Sequence, residues 1–284
     1  MSSALRAFLP GGDDCAPHDE RRLARCLVVD PCDGGRSSLL LQFAFNRALR
    51  GLRTLYVCAS REGLAARPPV RPTRGGAAAA PAGTSTFAPP AAEHEALRRI
   101  AVKYVPHGEA LRELLLALHL GEMEMPHTLI IDDLHELLPP PPAAAAGGGA
   151  AAAAHHGAPS PARPSPSKPE RQHGAMQAAC TVALAAHAAD YLSAAHAGAG
   201  GPPVALLVGA AAPLGAELPM LSRWLPAQLA VAADPQRAGV FALTGAHATD
   251  PWPAGADGAP PAAHYSLADR RLREVAPPAV ASWG

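Results

Sequence analysis

The stretch Asp30–Ser38, DPCDGGRSS, is the most informative part of the sequence about the fold, because it joins an apolar run to a helical pattern. Before it, residues 25–29 have the continuous apolar character of a buried strand. After it, residues 37–49 repeat apolar side chains at helical spacing, and Gly51 ends the pattern. A turn between strand and helix places free backbone amides at the helix start, where they attract anions. The stretch therefore predicts either a phosphate-binding loop or an ordinary polar turn.

The phosphate-loop hypothesis can be compared position by position with G-x-x-x-x-G-K-[ST]. In this frame Gly35 is the second glycine and Ser37 the hydroxyl, but Asp30 replaces the first glycine and Arg36 replaces the lysine. Arginine keeps the charge but is wider and planar, so it is not a simple substitute for lysine in a tight loop. The predicted nucleotide-binding residues are Gly34, Gly35, Arg36, Ser37 and Ser38.

Strand-like and helix-like patterns alternate along the rest of the chain, outside two stretches rich in alanine, glycine and proline. This alternation predicts an α/β fold in which a mostly parallel sheet carries helices on both faces. The predicted strands are residues 25–29, 54–59, 101–105, 128–132 and 204–208, the predicted helices are 37–49, 109–120 and 176–191, and a short helix and two late strands follow residue 220.

Composition predicts the domain organisation. Residues 66–92 and 139–174 are expected to be disordered inserts, because tracts of alanine, glycine and proline bury little apolar area. Residues 1–20 are expected to be disordered as well. The core domain would span residues 21–246, since long inserts add little closure entropy and need not mark a domain boundary. A Pro/Ala-rich C-terminal segment, residues 247–284, would add a late strand.

Acidic residues follow two of the predicted strands. Asp132 ends the apolar run Thr128–Ile131, where a P-loop NTPase carries the acid that holds Mg²⁺; the alternative is that it ends the strand and caps the next helix. With the hydroxyl of Ser37, it predicts a Mg²⁺ site that forms with the nucleotide.

Glu62 is a candidate catalytic base, although an acid there is also a common solvated loop residue. The strand 204–208 is followed by Gly-Ala-Ala-Ala, which lacks a polar sensor of the terminal phosphate and argues against efficient turnover.

Charge and composition limit the classes of function. The 24 basic and 24 acidic residues balance, so no overall field draws the chain to nucleic acid or acidic lipid. No apolar run has the roughly 20 residues needed to span a bilayer. The five cysteines lack paired zinc-site spacing, which favours a reduced, intracellular setting. Single-stranded DNA could follow local basic clusters if two of them meet in space; these are Arg21, Arg22 and Arg25, then Arg98, Arg99 and Lys103, then Arg270, Arg271 and Arg273.

Four segments together resemble one family: LVVDPCDGGRSSLLLQFA (27–44), VKYVPHGEALRELLLALH (102–119), LIIDDLHEL (129–137) and LSRWLPAQL (221–229). The chain resembles the SWIM-domain-associated recombination ATPase, a divergent relative of RecA-type recombinases that pairs with a SWIM zinc-finger protein in a Shu-type complex. The second and fourth segments carry the resemblance further than the loop, because they are not general NTPase features. It covers about residues 25–244 without the two inserts.

The resemblance implies a RecA-like P-loop NTPase core in a nuclear protein of homologous recombination. It implies ATP and Mg²⁺ as cofactors, single-stranded DNA as a ligand, and a RecA-type recombinase and a SWIM-domain protein as partners. Carried over by position, the nucleotide loop is Gly34, Gly35, Arg36 and Ser37, and the metal-holding acid is Asp132. The departures at Asp30 and Arg36 put hydrolysis in doubt rather than the fold.

Three functional hypotheses follow from these patterns. The first is a DNA-stimulated ATPase of recombinational repair with a degenerate nucleotide loop. The second is a non-catalytic scaffold that keeps the fold in order to bind a SWIM partner and a recombinase. The third, a small-molecule kinase of the P-loop type, is least favoured, because no arginine-bearing lid is evident in the ordered segments. The sequence does not assign a DNA surface or a partner interface.

Overall fold

The computed structural model describes residues 3–10, 21–30, 35–66, 91–121, 123–138, 168–198, 200–211, 218–247, 262–268 and 271–275. A sheet of nine strands forms the centre of this described part, and helices pack on both of its faces. The elements in chain order are α1 (Ser3–Arg6), β1 (Arg25–Asp30), α2 (Arg36–Leu49), β2 (Thr54–Cys58), α3 (Arg61–Ala66), α4 (Ala91–Arg98), β3 (Ile100–Tyr104), α5 (Gly108–His119), β4 (Thr128–Ile131), α6 (Leu134–Leu137), α7 (Lys168–Ala197), β5 (Ala205–Ala211), α8 (Leu218–Leu221), β6 (Ala227–Ala233), β7 (Val240–His247), β8 (Ala262–Ala268) and β9 (Arg271–Val275).

The strand order is β3-β2-β4-β5-β1-β6-β7-β8-β9. The strands from β3 to β6 in this order pair in parallel, whereas β7, β8 and β9 extend the sheet by antiparallel pairing. Strand β5 alone separates β1 from β4, so the carboxyl ends of β1 and β4 lie on either side of it. Ligands of open parallel sheets bind at such carboxyl ends.

Alternation along the buried strands builds two cores, one on each face of the sheet. On β1, Cys26 and Val28 enter the core beneath α2, while Leu27 enters the core beneath α5 and α7. Strand β2 alternates in the same way. Strands buried on both faces read as continuous apolar runs, and this is why their positions were predictable.

The predicted α/β class is confirmed, with a mostly parallel sheet and helices on both faces. The two predicted late strands correspond to β6 and β7. The short helix α8 ends at Leu221, so it lies almost wholly before the segment in which a short helix was predicted. The helix predicted at 176–191 is longer in the structure, where α7 begins at Lys168 and ends at Ala197.

The prediction that residues 1–20 are disordered is wrong for residues 3–10. Phe8 is buried and stacks on Phe43 of α2, with ring centroids 4.9 Å apart. The Nδ2 of Asn46 donates hydrogen bonds to the carbonyl oxygens of Ala7 (2.9 Å) and Leu9 (2.8 Å). Apolar burial and a buried amide therefore hold this segment against α2, which composition alone did not indicate.

The predicted inserts and the C-terminal segment are only partly within the described residues. Residues 67–90 and 139–167 lie outside them, so disorder there stays a prediction; residues 168–174 of the second predicted insert are helical instead. The C-terminal segment contributes two strands, β8 and β9, rather than one. Strand β8 pairs with β7, so the sheet continues past residue 246.

Among the described residues, none of the helices combines the length and the hydropathy that crossing a bilayer requires.

Candidate nucleotide site

The candidate site lies at the carboxyl ends of β1 and β4. Strand β1 ends at Asp30, and α2 begins at Arg36 with Gly35 as its N-cap. Strand β4 ends at Ile131, so that Asp132 follows it directly. The predicted pair of Ser37 and Asp132 is brought together, although 95 residues separate the two in the chain. Gly34 lies outside the described residues.

Asp132 is the centre of the site and is fully buried. Its Oδ2 accepts hydrogen bonds from the hydroxyls of Ser37 and Tyr56, the latter at 2.8 Å. Its Oδ1 accepts from the Nε of Arg36 at 3.0 Å and from the backbone N–H of Asp133 at 2.9 Å. Both carboxylate oxygens therefore already have two donors each, which compensates the cost of burying the charge.

Arg36 connects the two consecutive acids. Its side chain is 7% exposed, and its Nη2 donates to Oδ1 of Asp133 while its Nε donates to Asp132. The rigid fork of a guanidinium allows such double pairing, whereas an ammonium offers one compact charge. The side chain at the lysine position is therefore directed to the acids of β4.

Asp133 has an unusual backbone conformation that aims it at Arg36. Its φ of 60° and ψ of 42° lie in the left-handed region, and among non-glycine residues in the described ranges it is the one with positive φ. Aspartate tolerates this region better than most residues. No sequence pattern predicts this conformation, although a strained residue is a frequent mark of a functional site.

Asp30 takes part in the site through the start of α2. It is buried, and its Oδ2 accepts a hydrogen bond from the backbone N–H of Arg36 at 3.1 Å. The first amides of a helix lack partners within the helix and bind anions. The carboxylate at the first-glycine position thus acts as an anion bound by the first amide of the helix.

Gly209 lies within β5, directly after the predicted strand 204–208, and its surroundings leave no room for a side chain. A Cβ at residue 209 would lie 2.8 Å from Oδ1 of Asp132 and 3.0 Å from Cδ of Arg36. The stem of Arg36 therefore passes over the backbone of β5 on its way to the acids. Any larger residue at 209, polar or apolar, would collide with this path.

Gly35 adopts a left-handed conformation with φ of 89° and ψ of 32°. A Cβ there would lie 2.0 Å from Cδ1 of Leu267 on β8. Glycine is therefore required at this position both by the backbone and by the close approach of the C-terminal strands.

Tyr56 is the site residue that sequence reasoning missed. It lies in the middle of β2, where it reads as an ordinary core aromatic, and it is fully buried. Burial, and then the negative charge of Asp132, raise the pKa of its hydroxyl well above the ordinary value of 10.0. The tyrosine therefore stays neutral and remains a proton donor to the carboxylate.

The residues present do not fit the Mg²⁺-nucleotide that the resemblance implies. In a P-loop site, the hydroxyl at the Ser37 position and the acid at the Asp132 position hold the metal ion. Here the Ser37 hydroxyl donates to Asp132 instead, and the guanidinium of Arg36 pairs with both Asp132 and Asp133. The anion position at the first amide of α2 is taken by Asp30. Cation and anion are thus both supplied by the chain.

A second group of potential metal ligands lies beside the site. Ligand atoms of Asp133, His135 and Glu136 are within 4.8 Å of one another. The Asp133 carboxylate is paired with Arg36, and the other two residues are exposed. This arrangement is a common surface grouping and assigns no metal.

Two other predicted site residues have simpler surroundings. Glu62 is exposed in the first turn of α3, at the carboxyl end of β2, and a catalytic role for it stays a prediction. Ser38 is buried in the first turn of α2.

The basic clusters do not meet in the described structure. Arg25 begins β1 and Arg98 precedes β3, and three strands lie between β1 and β3, a separation of about 19 Å at the usual strand spacing. Arg273 is on β9, at the far edge of the sheet. Two of the arginines are also paired: Arg25 with Asp190, and Arg99 with Glu95. A DNA surface therefore stays unassigned.

Comparison with known proteins finds similarity among solved structures. No protein-family model and no curated protein matches the chain. The crystal structure of the RadB recombinase is similar at 14% sequence identity, with a TM-score of 0.48, over 89% of this chain and 91% of that chain.

Proposed function

We propose that this protein is a non-catalytic, RecA-like subunit of homologous recombination that acts as a scaffold for other recombination proteins. The observation that carries the proposal is the pairing of Arg36 with both Asp132 and Asp133 at the carboxyl ends of β1 and β4. It keeps the elements of a P-loop site in their places, but it leaves the lysine position turned away from a phosphate. The four-segment resemblance to the SWIM-associated recombination ATPase supports the pathway.

In this proposal the partners are a SWIM-domain zinc-finger protein and a RecA-type recombinase, and the complex works on single-stranded DNA in the nucleus. The fold serves as a rigid body that presents binding surfaces. Its stability comes from the two apolar cores and from the buried charge cluster, neither of which needs nucleotide turnover.

A DNA-stimulated ATPase is the second candidate, and one observation favours it. Ser37 and Asp132, which hold the metal in P-loop enzymes, are in direct contact. If ATP and Mg²⁺ displaced the contacts of Arg36, these two residues would be in place, and Glu62 would be the candidate base.

The two candidates are separated by measuring complex formation and phosphate release on the same variants. Retention of a SWIM-domain protein and a RecA-type recombinase is measured by co-purification with the full chain. Phosphate release is followed on the full chain without these partners, with and without single-stranded DNA, so that any phosphate released comes from this chain. Ser37→Ala removes the predicted metal ligand. Ser193→Ala on α7 is the matched control, because its hydroxyl is also hydrogen-bonded, to the carbonyl of Ala189, but at the other end of the sheet.

The scaffold proposal expects both variants to retain the two partners, with no DNA-stimulated phosphate release from any form. Phosphate release that Ser37→Ala abolishes and Ser193→Ala preserves would replace the scaffold with the ATPase. Failure to retain a recombinase or a SWIM-domain protein would overturn the proposed role in recombination.

A further inference from the structure

Two charged side chains occupy the places where a P-loop receives its ligands. A nucleotide brings an anion to the amides at the helix start and a divalent cation to the acid after the neighbouring strand. Here Asp30 meets the first amide of α2, and Arg36 meets Asp132 and Asp133. We propose that the site is self-occupied: Asp30 replaces the phosphate and Arg36 replaces the metal, so the wild-type chain takes no Mg²⁺-nucleotide. This inference rests on the proposed function in treating the site as a P-loop that no longer turns over.

The anion half of the proposal depends on Asp30. The residue is buried at the end of β1, and its Oδ2 accepts from the backbone N–H of Arg36 at 3.1 Å. A phosphate would need this amide, because the first helical N–H groups are the donors that a phosphate loop offers. It would therefore have to displace a buried carboxylate, whereas a glycine at position 30 would present no competing anion.

The cation half depends on Arg36. Its Nε and Nη2 donate to two different carboxylates, and the side chain is buried. Turning it toward a phosphate would leave Asp132 and Asp133 buried without this partner, and an uncompensated buried charge is strongly unfavourable. Gly209 keeps the path of the side chain open, since a Cβ there would lie 3.0 Å from Cδ of Arg36. The chain is thus built to hold the arginine on the acids.

The formal charges agree with this exclusion. The contacts above contain three carboxylates, those of Asp30, Asp132 and Asp133, and one cation, the guanidinium of Arg36. This guanidinium pairs with Asp132 and Asp133, whereas Asp30 accepts from the backbone N–H of Arg36. Their sum is negative, so these groups repel a polyphosphate. A working P-loop has the opposite balance, because the lysine and the metal meet the phosphates there.

The experiment restores the phosphate-loop frame. The double variant Asp30→Gly, Arg36→Lys converts residues 30–37 to G-x-x-x-x-G-K-S, and Mg²⁺·ATP is titrated into it and into the wild type by isothermal titration calorimetry. We expect no measurable binding by the wild type, and binding by the double variant that is at least about tenfold tighter than the weakest affinity the titration detects. Adding Ser37→Ala to the double variant should remove the gain. Arg47→Lys, the same exchange of a buried arginine on the same helix, is the matched control and should give none.

Two outcomes would overturn the proposal. One is Mg²⁺·ATP binding by the wild type that Ser37→Ala weakens, and the other is a double variant that is folded by circular dichroism but gains no affinity. If the double variant does not fold, the single variants Asp30→Gly and Arg36→Lys are each compared with the wild type. Absence of binding in the wild type with a gain in either single variant supports self-occupation, whereas no gain in either of them contradicts it. These readouts concern the nucleotide alone, so they are distinct from loss of recombination partners, which tests the proposed function.

Discussion

The two ends of β4 are both tied to α2 by a buried arginine, but in different ways. At the carboxyl end, Arg36 in the first turn of α2 pairs with Asp132 and Asp133. At the amino end, Arg47 in the last turn donates to Oγ1 of Thr128 at 2.9 Å and to the carbonyl of His127 at 3.2 Å. One end therefore joins ionised groups and the other joins a guanidinium to neutral dipoles. Buried arginines on the same helix can therefore serve either as a counter-ion or as a donor to neutral backbone and side-chain oxygens.

The largest loss of stability is expected from removing the ion pairs at the carboxyl end of β4. Arg36→Ala should lower the free energy of unfolding by about 3–5 kcal/mol, because it leaves two buried carboxylates without their cation. Urea unfolding followed by circular dichroism measures this loss. A loss below about 1 kcal/mol, as is usual for exposed ion pairs, would mean that the acids are solvated and the cluster is not closed.

Removing the arginine at the amino end of β4, where it contacts neutral groups, should lower stability less. Arg47→Ala removes charge-assisted hydrogen bonds to Thr128 and His127 and should cost about 1.5–3 kcal/mol. The same urea titration measures it. Arg50→Ala, at an exposed arginine three residues further along, is the control and should change stability by less than about 0.5 kcal/mol. A larger loss of stability for Arg47→Ala than for Arg36→Ala would contradict the view that the ion pairs matter more than the hydrogen bonds to neutral groups.

The path of Arg36 over β5 can be tested without changing any charge. Gly209→Ala should destabilise by about 1–3 kcal/mol through overpacking, because its Cβ would meet Asp132, Leu40 and Arg36 at 2.8–3.0 Å. Gly174→Ala on α7 is the matched control: no atom lies within 4 Å of its added Cβ, so the higher helix propensity of alanine should stabilise by up to about 1 kcal/mol. Equal effects of the two substitutions would contradict the close approach at β5.

The smallest expected effect is a pH dependence of stability that comes from His127, at the amino end of β4. Burial, and then the charges of His196, Arg47 and Arg53, lower the pKa of His127 from its ordinary value of 6.5. Below 6.5 the unfolded chain therefore binds a proton that the folded chain does not, so stability falls as the pH falls from that value.

The comparison is made by urea unfolding over about pH 5 to 8, where a histidine changes charge. His127→Gln should flatten this dependence. His127 also stacks on His196, with ring centroids 4.1 Å apart, so the variant is compared with His196→Gln to separate lost stacking from lost titration. A pH dependence in His127→Gln equal to that of the wild type would exclude this histidine as its source.

The sequence predicted the core strands because burial on both faces leaves an unbroken apolar run. It also predicted the meeting of Ser37 with Asp132, since the carboxyl ends of parallel strands share one edge of the sheet. It did not predict that Arg36 turns to the acids. That direction depends on Gly209, which is remote in sequence and comes close only through the strand order.

Composition misled the prediction at the chain ends for a related reason. Low apolar content per residue favours disorder, but Phe8 gains a partner in Phe43, and Asn46 provides hydrogen bonds to the backbone of the N-terminal segment. Strand β8 likewise gains its partners from β7. Long-range pairing of this kind has no local periodic signal.

The contact between Gly35 and Leu267 joins the entrance of α2 to a hairpin formed more than two hundred residues later. A chain shortened after β7 would lose the apolar wall that confines this glycine. This truncation would therefore first affect a segment near the start of the sequence, because the loop that leads into α2 would lose its packing partner. The last strands thus support the earliest turn of the site through packing, although they are the most distant from it in the sequence.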